Sequence, residues 1–116
     1  MDFRYYNFAM KDLDSMAVEN IAKQVFGSDF RFYLGEDTRK KEVTLADLKT
    51  MSLRGQKVTI ENCDKTAVHK PSFVTVLQPI ERESYIQQPE YTIEIAAQGE
   101  VLQRAKANIE AVLQGN

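Results

Sequence analysis

The chain has 116 residues, 43% of them hydrophobic and 28% charged, which suits one domain with one core and leaves little room for two. Lys and Arg total 15 against 17 Asp and Glu, a net charge of −2, so nucleic-acid binding, which needs a concentrated basic face, is set aside. The one basic run, Arg39-Lys40-Lys41, is neutralised locally by Glu36-Asp37 and Glu42. A single cysteine, Cys63, rules out an internal disulfide and fits a reducing compartment. No stretch approaches the ~20 apolar residues of a membrane span. Met1-Asp2-Phe3-Arg4 has none of the features of a signal peptide, so a cytoplasmic location is expected.

Tyr6, Phe8 and Met10 alternate with Asn7 and Ala9, which predicts a half-buried strand. Asp12-Leu13-Asp14-Ser15 offers N-caps, and Val18, Ile21, Ala22 and Val25 behind it form one apolar helical stripe that Gly27 is placed to end. Phe30, Phe32 and Leu34 predict a second strand. Gly35-Glu36-Asp37-Thr38 is a turn, and residues 41 to 44 return as a hairpin. Thr44-Leu45-Ala46-Asp47 has the form of a capping box, opening a short helix expected over Leu45 to Leu53. Val58 and Ile60 predict the next strand, and Tyr91, Ile93 and Ile95 a strong later one. A last helix carries Val101, Leu102, Ala105, Ile109, Val112 and Leu113, with Gly115 at its end.

Between them, residues 63 to 90 read as an insertion before the last strand. Only Phe73 to Leu77 alternates there, Pro71, Pro79 and Pro89 interrupt it, and Glu81 to Gln88 is a polar loop. The segment is expected to extend the fold without entering its core. The order β-α-β-β-α-β, an extra segment, then β-α gives an α+β class: an open-faced β-sandwich, one domain over 1–116, its antiparallel sheet covered on one face by three helices.

Two stretches resemble HPr, the histidine-containing phosphocarrier family of the bacterial sugar phosphotransferase system. Residues 43 to 60, from Val43-Thr44-Leu45 through Met51-Ser52-Leu53 to Val58-Thr59-Ile60, are similar to the family's second helix and following strand. Residues 93 to 114, with Ile95-Ala96-Ala97-Gln98-Gly99-Glu100, resemble the junction into its last helix. The family's acceptor histidine, followed by Arg, Pro and Ala, is missing. Asp14 or Ser15 stands in the acceptor position, and Met16-Ala17 follows. An aspartate there repels an incoming phosphate, where free helix N–H groups and an arginine would stabilise one.

The family's regulatory serine falls on Ala46. Asp47 beside it either mimics a phosphorylated state or completes the capping box, and the cap is the preferred reading. The resemblance further implies a partner-docking surface carried by Met16, Asp47, Leu48 and Met51. The expected function is therefore a non-enzymatic HPr-like accessory or regulatory protein, with no cofactor or metal, that binds a protein partner such as a phosphotransferase-system component or regulator. Two alternatives stay open: a phosphocarrier using an atypical residue such as His69 or Ser15, and a ferredoxin-like ligand-sensing module.

His69, the one histidine, sits in Ala67-Val68-His69-Lys70-Pro71 and reads as an exposed loop residue. With Cys63 it offers two zinc ligands at most, and as a catalytic pair it would need an orienting group such as Asp64. No P-loop, G-x-G-x-x-G or G-x-S-x-G motif occurs.

Overall fold

Helical and period-2 apolar spacing divide the chain into two layers, and a computed structural model describes them over residues 3–9, 14–35, 38–53, 55–77 and 90–114. The strands are β1 (Phe3–Ala9), β2 (Phe30–Leu34), β3 (Lys41–Val43), β4 (Lys57–Asn62), β5 (Phe73–Leu77) and β6 (Glu90–Ala96). The helices are α1 (Ser15–Phe26), α2 (Leu45–Lys49) and α3 (Gly99–Leu113).

The stripe Val18, Ile21, Ala22 and Val25 is buried along α1, joined by Phe26. Gly27 ends the helix at φ +85°, a left-handed conformation that glycine adopts without a Cβ clash, and its N–H bonds to Lys23 O at 3.0 Å. In α3 the buried positions are Leu102, Ala105 and Ile109, again one stripe, and α3 packs along α1 while α2 rests on α1.

The strands form one antiparallel sheet in the order β1-β6-β5-β4-β2-β3. Four antiparallel steps separate β1 from β2, so the two strands joined through α1 point the same way. Register places the apolar residues in rows. Phe32 pairs with Ile60, Ile60 with Val74, and Val74 with Ile95. Leu34, Val58, Val76 and Ile93 form the adjacent row. These rows and the inward stripes of the helices make one core cluster, as expected of helices covering one sheet face. On the other face Tyr33, Thr59, Thr75 and Glu94 stand in register. There Thr75 donates to Thr59 across the sheet at 3.3 Å, satisfying a hydroxyl that is almost wholly buried.

The class α+β and the antiparallel open sheet agree with the sequence reading. One expectation is overturned: residues 73–77, within the expected insertion, do not lie outside the core. They supply β5, which fills the sheet's interior between β4 and β6, and Val74 and Val76 are fully buried. Alternating apolar residues flanked by prolines suit an interior strand as well as an appended one, because Pro71 precedes the first ladder position and removes no sheet hydrogen bond. The connection from β4 to β5 is itself ordered by hydrogen bonds. Asp64 N donates to Asn62 Oδ1 (2.9 Å), Asn62 Nδ2 to Pro71 O (3.2 Å), and Ser72 N to Ala96 O (3.0 Å).

A second correction concerns α2, which stops at Lys49 and not at Leu53. The Thr50 hydroxyl donates to Asp47 O at 2.9 Å and the Thr50 N–H to the same carbonyl at 3.2 Å, so a side chain competes for the bond a further helical residue would make. Met10, Asp12-Leu13, the Glu36–Asp37 turn, the loop over 81–88 with Pro79 and Pro89, and Gly115 lie outside the described residues.

Candidate docking surface at the start of the first helix

Asp14 is the N-cap of α1. Its carboxylate accepts from Ala17 N at 2.9 Å and its carbonyl from Val18 N at 3.1 Å. Asp14 thus fills part of the anion-attracting N-terminus with its own charge. Ser15 begins the helix, half-buried. Met16 projects into solvent, 64% exposed, because its position lies opposite the Val18–Ile21–Val25 stripe.

At α2 the predicted capping box is complete. Asp47 N donates to Thr44 Oγ1 at 3.1 Å, and Thr44 N to the Asp47 carboxylate at 3.0 Å. The Thr44 backbone N–H, then the Thr44 hydroxyl, hold the Asp47 carboxyl below its ordinary range, with a smaller contribution from Lys41. Ala46 is exposed.

Leu48 is corrected. It is 1% exposed and belongs to the core, so it anchors α2 and is not accessible to a partner. Met51 lies just past the helix and is 38% exposed. The sequence reading placed Leu48 and Met51 in one helix and on one docking surface. The early stop at Lys49 separates them, one buried and one facing solvent. Leu53 then turns back into the core.

The remaining candidate chemistry disperses. Cys63 is partly buried, its Sγ lies 3.8 Å from Glu61 O, and burial pushes its thiol up, away from the reactive thiolate. The Asp64 carboxylate binds the Thr66 hydroxyl (2.7 Å) and N–H (3.0 Å), which in that order hold its carboxyl low, so it is committed to a local turn and does not orient His69. No group of three metal-ligating side chains exists among the described residues. His69 is exposed, at the rim of a cavity of about 210 Å³ between α1, α3 and the β4–β5 connection. Lys70, Arg104 and Asn108, which share that cavity, were not singled out by the sequence. Arg104 and Asn108 stand four residues apart on α3, but no spacing relates them to Lys70, which reaches the cavity from the β4–β5 connection.

No helix among the described residues is long and apolar enough to cross a membrane. No protein-family model matches the chain, and neither a curated protein nor a solved structure shows similarity to it.

Proposed function

We propose that this chain is a non-enzymatic, HPr-like accessory protein of the cytoplasm that docks a protein partner through the start of α1 and the segment after α2, without carrying phosphate. The observation that supports this reading is the pairing of a capped helix start with an apolar side chain left in water. The Asp14 carboxylate already accepts from Ala17 N, so an incoming phosphoryl group meets a fixed like charge where it would otherwise find a free N–H. One residue on, Met16 is 64% exposed, and methionine's flexible thioether adapts to an irregular partner surface. Met51 and the exposed Ala46–Asp47 pair add a second contact segment, held in place by the buried Leu48.

The test is titration of purified enzyme I of the phosphotransferase system into the ¹⁵N-labelled chain. The expected result is amide shift changes confined to residues 14–17 and 46–51, abolished in Met16→Asp. Absence of binding, or a Met16→Asp variant that binds as wild type does, would overturn the reading.

A further inference from the structure

The opposite end of α1 carries a different kind of surface. A helix C-terminus exposes carbonyls and a partial negative charge, which ordinarily repel an anion. Here three of the last four carbonyls are occupied. Lys23 O accepts from Gly27 N at 3.0 Å, Gln24 O from Asn108 Nδ2 at 3.0 Å, and Phe26 O from Lys70 Nζ at 2.8 Å. Lys70 lies so close that a Cβ at Gly27 would come within 3.2 Å of its Nζ. The cavity of about 210 Å³ opens beside this capped end. Its polar lining offers cations and amides, with His69, Lys70 and Arg104 at its rim and no carboxylate among the lining residues. Its floor is apolar, formed by Val25, Val101 and Ala105 with Pro71. Lys70 donates one proton to Phe26 O and retains two. Arg104 brings a five-donor fork suited to a carboxylate or phosphate.

We infer that this cavity is a binding site for a small organic acid. The anionic head, a carboxylate or phosphate, meets Arg104, His69 and Lys70, and a short hydrocarbon part lies on Val25, Val101 and Ala105. The volume sets the size, because about 210 Å³ lies below the 300–1,000 Å³ of ordinary ligand pockets. The ligand is therefore far smaller than a nucleotide. This site uses none of the residues of the proposed docking surface. Met16 and Gln24 stand eight residues apart on α1, so about 12 Å of helix separates the two.

The experiment is an NMR titration of the ¹⁵N-labelled full chain with three probes: butyrate, inorganic phosphate and butylamine. The expected result is saturable shifts at residues 68–71 and 101–108 with butyrate. Phosphate should act at the same residues more weakly, because it leaves the apolar floor uncovered, and butylamine should give none. Arg104→Gln, an exposed substitution that keeps a good helix former, should weaken butyrate binding at least ten-fold. His69→Asn should weaken it less. Linear, non-saturating shifts, an equal response to butylamine, or unchanged affinity in Arg104→Gln would each overturn the site. Because enzyme I is absent, the outcome is independent of the docking proposal.

Discussion

The two ends of α1 are finished by opposite means. At its start one residue does the work locally: Asp14 caps Ala17, three positions along the chain. At its end Gly27 N closes locally on Lys23 O, but the two other donors come from afar, Lys70 from the β4–β5 connection and Asn108 from α3. The start leaves an apolar side chain, Met16, in water. The end gathers His69, Lys70 and Arg104 around a cavity. A locally built terminus presents a surface that depends on few other parts of the molecule, whereas a terminus completed by distant segments makes a site that exists only when the whole fold does.

The largest effect expected is on that long-range assembly. Replacing residues 64–88 by a short Gly-Ser linker removes β5 from between β4 and β6 and takes Lys70 away from α1. The cooperative denaturant transition should be lost. A sharp transition with an unchanged m-value would show that the long-range end is dispensable.

Next come paired substitutions on the docking side. Leu48→Asp should cost several kcal/mol, since it leaves an unpaired charge in the core. Met16→Asp should change stability by less than about 1 kcal/mol, since the side chain is already hydrated. Equal costs in urea denaturation would erase the distinction between anchor and exposed contact.

A smaller change tests the cap itself. Asp14→Ala should cost about 1 kcal/mol, the usual worth of an N-cap side chain, with the cavity's amide shifts at residues 101–108 unmoved.

The smallest effect is in pH. The folded-state pKa of Asp47 lies below its ordinary value, so its contribution is complete above the ordinary carboxylate range and disappears as pH falls through the depressed folded value. Wild type should lose thermal stability over that acid window more steeply than Asp47→Asn. Parallel melting curves for the two proteins would contradict the cap's role in holding that carboxyl low.

What the sequence revealed follows the same division. The stripe Val18–Ile21–Ala22–Val25 and the Thr44/Asp47 capping box are relations over three or four residues and stand where the spacing put them, and Asp14 is one of the caps that Asp12-Leu13-Asp14-Ser15 offered. The place of β5 was hidden, because alternation in Phe73 to Leu77 identifies a strand but carries no record of its neighbours. Sheet order is decided by packing and pairing across the whole chain. The grouping of Leu48 with Met51 failed for a local reason: the Thr50 hydroxyl ends α2 one turn early and takes Met51 out of the helix, and apolar spacing alone does not register that competition. The cationic cavity was illegible because residues 24, 70, 104 and 108 meet only after α3 and the β4–β5 connection have both packed against α1.

The central claim, a docking module that does not carry phosphate, is tested most directly by intact-mass spectrometry after incubation with enzyme I and phosphoenolpyruvate. The predicted result is an unchanged mass, because Asp14 occupies the helix start where a phosphoryl group would be held. A stoichiometric gain of one phosphoryl group, mapped to Ser15 or lost in His69→Ala, would contradict it and make the chain a phosphocarrier.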